Sequence, residues 1–243
     1  MQYWALTDPG VVRSQNQDAY QIISLDKNTL LCVVCDGMGG AKSGNVASTL
    51  ALDVFTQQVK DSWIPDMDPE QLDQMLNGAV KLANFTVYDQ ARQFEEFDGM
   101  GTTLVALLLQ GKKATIVNVG DSRAYLIDGD GIKQVTTDHS LVQMMIARKE
   151  LTPEKAKHYP GKNLITRAIG TEPQVSCDIF HRKVDKGTCF LLCTDGLSNL
   201  MDDQEILFEV VYGQDKAQCC DRLLDIVKKR GAPDNVTAVL VTL

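Results

Sequence analysis

The sequence predicts an α+β fold, a four-layer αββα sandwich in which two antiparallel sheets pack together between pairs of helices. Three observations predict it. Short runs rich in branched and aromatic residues follow one another through the middle of the chain, where a doubly wound parallel sheet would need a crossover helix between each. Helical periodicity is concentrated in one pair of segments near the start and another near the end. Several of the strand-like runs are joined by Gly- or Asp-containing turns, as antiparallel neighbours are.

The strand-like runs cover 19–25, 29–35, 102–109, 114–119, 123–127, 174–184, 188–193 and 237–243. Asp128-Gly129-Asp130-Gly131 is the clearest hairpin turn, because Gly and Asp tolerate the positive φ that tight turns require. In 44–59, Ala47, Ala51, Phe55 and Val59 fall on one helical stripe, and in 69–93 Leu72, Leu76, Ala79, Val80, Ala83 and Val87 do the same. The late helices are 202–212 and 215–230, the second opening on a capping Asp215 and closing on Lys228, Lys229 and Arg230 before Gly231. Between them and the middle strands lie the turn Asp138-His139-Ser140, a helix-like 141–149 and a helix start at Thr152-Pro153-Glu154. No linker or repeat interrupts the chain. It reads as a single domain, 1–243, carrying a flap-like segment at about 141–165.

Composition excludes several functions. Lys and Arg number 24 against 32 Asp and Glu, a net charge of −8, which argues against nucleic acid as a partner, since that affinity rests on clustered cations. A site that handles phosphate must then rely on local positive charge. No stretch approaches the roughly 20 apolar residues of a membrane span, and Met1 to Gly10 lack a leader pattern, so a cytoplasmic chain without membrane insertion is expected. Seven cysteines are an odd number, mostly within apolar runs, and read as buried thiols of a reducing compartment. Cys32 and Cys35 mimic a zinc spacing, but residues three apart on a strand face opposite ways.

Four aspartates share one context. Asp36, Asp121, Asp195 and Asp234 each abut an apolar run and are followed by Gly, Ser or Asn. One Asp-Gly is only a turn; several carboxylates delivered from sheet ends into one place would repel one another unless cations neutralise them. Hard oxygen ligands of this kind select Mg²⁺ or Mn²⁺.

These residues sit within eight ordered motifs: Thr7-Asp8-Pro9-Gly10 with Arg13-Ser14-Gln15-Asn16-Gln17-Asp18; Asp36-Gly37-Met38-Gly39-Gly40; Gly101-Thr102-Thr103; Gly120-Asp121-Ser122-Arg123-Ala124-Tyr125; Asp138-His139-Ser140; Thr166-Arg167-Ala168-Ile169-Gly170; Thr194-Asp195-Gly196-Leu197; and Asp234-Asn235-Val236-Thr237. Taken together they resemble the bacterial branch of the PP2C (PPM) protein serine/threonine phosphatases over almost the whole chain. The resemblance implies hydrolysis of phosphoserine and phosphothreonine monoesters by direct attack of a metal-activated water, with two Mn²⁺ or Mg²⁺ ions and, in many bacterial members, a weaker third. Asp36 would bridge the two metals, the Gly37 carbonyl would help hold the second, and Asp195 and Asp234 would complete the first. Asp18 would contact the second metal directly or through water, and Asp121 with Asp195 resembles the ligands of the third. Arg13 resembles the phosphate-binding arginine, whose planar fork engages two phosphoryl oxygens. Phosphorylated proteins are the implied substrates, with a cognate Ser/Thr protein kinase as the opposing partner.

Departures from the family pattern are specific. Gln17 stands where many members carry Glu, Met38 where animal members have a histidine proposed as general acid, and Ala41 where many bacterial members have another histidine. Leaving-group protonation then falls to a metal-bound water. His139 reads as a structural hydrogen-bonding group and His181 as a strand residue, while family analogy puts His158 and Arg167 at the substrate entrance. Two other readings stay open from sequence: a catalytically silent phosphatase-fold module that binds phosphoproteins as a regulator, and a nucleotide-binding loop at 37–40, which lacks the Lys-Ser/Thr of a P-loop.

Overall fold

The structure is a computed structural model that describes residues 1–40, 43–156 and 159–243. Its layering follows from strict alternation along β3 (Thr29–Met38). Leu31, Val33 and Cys35 face one apolar cluster, and Leu30, Cys32 and Val34 face another. A strand buried on both sides has to lie between two layers. Cys32 and Cys35 accordingly point opposite ways, and all seven cysteines are free thiols.

One sheet has the order β2 (Asp18–Asp26), β3, β5 (Leu104–Gln110), β6 (Lys113–Val119) and β9 (Asp178–Lys183), with the short β4 (Gly101–Thr102) paired to the end of β3. The other has the order β1 (Gln2–Asp8), β11 (Val236–Thr242), β10 (Cys189–Cys193), β7 (Arg123–Asp128) and β8 (Gly131–Gln134). Every pairing is antiparallel. Between the sheets lie Val105, Leu107 and Leu109 of β5 and Phe190, Leu192, Val239 and Val241 of β10 and β11.

Helices α1 (Gly44–Ser62) and α2 (Pro69–Gln93) cover the outer face of the first sheet, burying Ala47, Ala51, Phe55, Leu76 and Val80 on it. Asp68 and Gln71 close a capping box that starts α2 at Pro69. On the second sheet, α6 (Asp203–Tyr212) and α7 (Cys219–Lys229) bury Ile206, Val210, Leu223 and Val227, and α6 starts on a second capping box, Asp202 with Glu205. The result is helix pair, sheet, sheet, helix pair. The short α3 (Leu141–Ala147) and α4 (Pro153–Ala156) stand apart from these layers, between β8 and β9.

Several elements differ from expectation. β1 is nowhere fully buried, and pairing with β11 along its whole length makes it a strand. The run 102–109 breaks at Thr103, whose backbone turns to bond Asp36. The run 174–184 forms a strand only from Asp178, where pairing with β6 begins. Asp215 caps a 3₁₀ turn, Lys216–Gln218, ahead of α7 rather than α7 itself.

Leu192→Ala opens the inter-sheet core and should lower the unfolding free energy by about 2–5 kcal/mol. Asp202→Ala removes one helix cap and should cost about 1 kcal/mol. Urea melts followed by circular dichroism compare them; a Leu192→Ala loss no larger than the cap loss would contradict a close-packed interface between the sheets.

Candidate active site

The carboxylates meet where the ends of the two sheets adjoin. Antiparallel register places Asp18, first residue of β2, directly opposite Asp36 near the end of β3. Asp195 opens the short helix α5 (Asp195–Ser198) immediately after β10, and Asp234 lies just before β11, the neighbour of β10. Asp121 follows β6 through Gly120. The two sheets are tied together at Asp18: its Oδ2 accepts from Thr194 Oγ1 at 2.9 Å and Thr237 Oγ1 at 2.7 Å, hydroxyls carried beside Asp195 and at the start of β11.

The backbone around Asp36 is held from three directions. Its N–H donates to Thr103 Oγ1 at 2.9 Å, and its carbonyl accepts from Thr103 N and Thr102 Oγ1, each at 2.9 Å. Thr103 Oγ1 also shares a 2.7 Å hydrogen bond with Ser122 Oγ, next to Asp121. Two glycines here allow backbone to approach backbone. A Cβ on Gly37 would lie 2.1 Å from the Gly44 carbonyl oxygen, and one on Gly196 would lie 1.9 Å from that of Asn235. Gly37 therefore serves packing against the start of α1, and Gly39, at a φ of +145°, the turn that leads to it.

The segment before β2 is fastened by Asn235. Its Oδ1 accepts from Gln17 N at 2.8 Å, and its Nδ2 donates to the carbonyls of Pro9 at 3.0 Å and Gln15 at 2.9 Å. This brings Arg13 to the site, where Nη2 donates to Asp234 Oδ2 at 3.0 Å with both side chains about half exposed. Gln17 donates through Nε2 to the Gly40 carbonyl at 3.3 Å, a bond that a glutamate at this position has no donor to make.

Electrostatically the cluster is strained. Burial pushes Asp18 up from 3.8 to about 7, with the charges of Asp195 and Asp234 adding to it and the two threonine hydroxyls opposing. Asp121 rises to about 7 by burial and then by Asp195 and Asp138, and Asp195 to about 6 by burial and then by Asp234. Asp36 is held well above the carboxylate range by burial and by the charges of Asp18, Asp195, Asp121 and Asp234. Asp18 Oδ1 and Asp121 Oδ1 are buried without a hydrogen-bond partner among the described residues. In the same residues, no three acidic, His or Cys side chains converge as a ready-made chelate. The arrangement is a group of mutually repelling carboxylates at adjoining strand ends.

Behind Asp121 lies a second network. Gly120 N donates to His139 Nδ1 at 3.0 Å, which makes that nitrogen the acceptor and leaves Nε2 to face Asp178 Oδ2 at 3.2 Å. His139 is buried, and burial lowers its pKa, so it is a neutral structural group as its turn implied. Arg167 Nη1 donates to Asp178 Oδ1 at 2.9 Å and to the Ser176 carbonyl at 3.3 Å and lies 3.0 Å from His139 Nε2, which ties it to the segment that leads into β9. Ala41 and His158 lie outside the described residues. His181 is paired with Asp73 at 3.0 Å and Thr115 at 3.2 Å, as an ordinary strand residue. The flap-like segment is pinned at its base by Leu141 N to the Leu164 carbonyl and Thr166 N to the His139 carbonyl, both 2.8 Å. The sequence motifs contained Thr103, Asn235 and Arg123 and their partners but not the pairings between them; Arg123 grips Asp138 through Nε at 3.0 Å and Nη2 at 2.7 Å.

Comparison with known proteins matches this arrangement to one family. The family model described as Protein phosphatase 2C matches residues 11–240. The serine/threonine phosphatase stp of Listeria monocytogenes is 32% identical over 235 residues, covering 97% of this chain and 93% of that protein. Among solved structures, the serine/threonine phosphatase Stp1 from Staphylococcus aureus is 36% identical with a TM-score of 0.93, over 99% of this chain and 94% of that one. The catalytic domain of the serine/threonine phosphatase PstP in complex with two manganese ions is 33% identical with a TM-score of 0.83, over 98% of this chain and 96% of that one. With the fold, the gathered aspartates and a match along nearly its full length in agreement, the chain belongs to the protein phosphatase 2C family.

Proposed function

We infer that the chain is a metal-dependent protein serine/threonine phosphatase that cleaves phosphoserine and phosphothreonine monoesters on proteins. The observation that carries this reading is the set of carboxylates driven together at adjoining strand ends, with raised pKa values and two buried oxygens left without donors. Such a set fits hard divalent cations, because all its donors are oxygen and its repulsion is relieved only by positive charge. Asp36 with the Gly37 carbonyl, Asp195 and Asp234 would hold a pair of Mn²⁺ or Mg²⁺ ions, with Asp18 beside the second and Asp121 with Asp195 at a third. When bound, these ions supply a water acidic enough to ionise near neutral pH and positive charge for the phosphoryl oxygens.

The chain's own residues do the rest. Arg13 presents a planar fork to two phosphoryl oxygens and orients the ester. Thr194 and Thr237 fix the carboxylate of Asp18, and Thr102 and Thr103 fix the backbone of Asp36, so that little reorganisation accompanies the reaction. His139, with its ring nitrogens engaged by Gly120 and Asp178, takes no part in proton transfer to the leaving alkoxide. The silent-module alternative would call for loss of carboxylates; Asp36, Asp195 and Asp234 are retained together with Arg13, and only Gln17, where many members carry Glu, departs in that direction.

The same reading makes 1–243 one catalytic domain with 141–165 as its flap. It makes a Ser/Thr protein kinase the opposing partner, since phosphoserine on proteins arises by phosphoryl transfer. No helix among the described residues is long and apolar enough to cross a membrane. The free thiols support work in the cytoplasm.

Asp36→Asn should lower phosphopeptide hydrolysis in Mn²⁺ to at most about 1% of wild type, and EDTA should do the same. Full turnover in EDTA would refute the reading. Arg13→Ala should reduce kcat/KM by roughly 10–100-fold, with calorimetric Mn²⁺ affinity changing far less; equal losses in both would remove Arg13 from phosphate binding.

The pKa shifts set a pH dependence for the metal-free protein. Between 3.8 and the raised values of about 6 to 7, folded Asp18, Asp121 and Asp195 hold protons that the unfolded chain has released. Their contribution to stability is therefore present at low pH and lost as pH rises through this window. His139, with a lowered pKa, works the other way below 6.5 but is one group against several. Glu205, lowered to about 2, titrates below the window. In EDTA the Tm should be higher at about pH 5.5 than at about pH 7.5, and Mn²⁺ should raise it more at the higher pH. A Tm in EDTA that climbs with pH across this range would contradict the electrostatic account.

A further inference from the structure

Of the described residues in the segments that carry Arg13 and the aspartates, Val11 and Val12 are the only large apolar side chains left exposed, at 62% and 69%. Their exposure is not that of a loose loop. Val11 N donates to the Ala232 carbonyl at 2.9 Å, and Asn235 Nδ2 holds the carbonyls of Pro9 and Gln15 on either side. The backbone is fixed at both ends and in the middle, so adjacent branched side chains are presented to water in one place. They immediately precede Arg13, whose guanidinium reaches Asp234 at the site. Branched side chains are stiff at χ1, so ordering them against a partner costs little entropy.

We propose that Val11 and Val12 form an apolar shelf that selects phosphoprotein substrates with an apolar residue one or two positions from the phosphorylated serine or threonine. Val12 and Val11 directly precede Arg13 on the same tethered segment, so a substrate whose phosphoryl group Arg13 holds has its flanking residues beside that segment. An apolar side chain there removes surface from water on both partners, whereas a carboxylate would lose hydration without a counter-charge on the shelf. The inference rests on the phosphatase reading of the site and adds the sequence context of its substrate.

The test compares kcat/KM in Mn²⁺ for phosphothreonine peptides that differ only in bearing Leu, Ser or Glu beside the phosphoresidue, with p-nitrophenyl phosphate as a substrate that has no flanks. Wild type should favour the Leu peptides by roughly 5–20-fold, the worth of partly burying one aliphatic side chain. V11S/V12S should erase that preference while p-nitrophenyl phosphate turnover stays within about twofold of wild type, and V12I should keep the preference. No preference in wild type, a preference that survives V11S/V12S, or an equal loss on p-nitrophenyl phosphate overturns the shelf. Wild type inert toward p-nitrophenyl phosphate and every peptide overturns the phosphatase reading as well.

Discussion

Repulsion among carboxylates is the constraint on which the rest of this structure depends. Asp18, Asp36, Asp121, Asp195 and Asp234 come from five different places in the chain, and four of them carry pKa values raised by burial and by one another. A fold does not assemble such a group for stability, because each buried like charge costs free energy that packing elsewhere must offset. The sandwich provides that offset. Its three apolar clusters, one between the sheets and one under each helix pair, supply the burial that holds the strand ends together.

Short polar side chains turn that general stability into local precision. Thr194 and Thr237 reach from one sheet to Asp18 on the other, Thr103 bonds both the N–H and, through its own N–H, the carbonyl of Asp36, and Asn235 fastens three points of the segment before β2. These groups are buried or nearly so and fully engaged, which gives them one geometry rather than several. Loss of Asn235 would leave the N–H of Gln17 and the carbonyls of Pro9 and Gln15 without partners at once. It would also free Arg13 from its position.

Periodicity was enough to read the layers, since β3 is buried on both faces and α1 and α2 each carry a clean apolar stripe. The aspartates were readable because each stands at a strand end beside a residue that bends the chain. What could not be read was anything set by contacts distant in sequence. β1 is a strand by virtue of β11, more than 200 residues away, and Thr194 gains its meaning from Asp18, 176 residues off. Arg167 is a further case: the acceptor that holds its guanidinium, Asp178, arrives only when β9 pairs with β6.

The acidic surplus of the chain poses a problem for binding a phosphate dianion, and the geometry of Arg13 bears on it. A net charge of −8 repels such a substrate at long range, and the aspartate cluster repels it at short range. By the proposed assignment, cations at the cluster would reverse the short-range sign but would also take up the oxygens of Asp234, the present partner of Arg13. The Arg13–Asp234 pair is about half exposed, and exposed ion pairs are worth only about 0–1 kcal/mol. Releasing it therefore costs little, whereas the fork of Arg13 gains two charge-assisted bonds on phosphoryl oxygens. The pair thus keeps the guanidinium beside the aspartate cluster by a contact weak enough to exchange for substrate, and a stronger, less exposed partner such as the one that holds Arg123 to Asp138 would leave it unavailable.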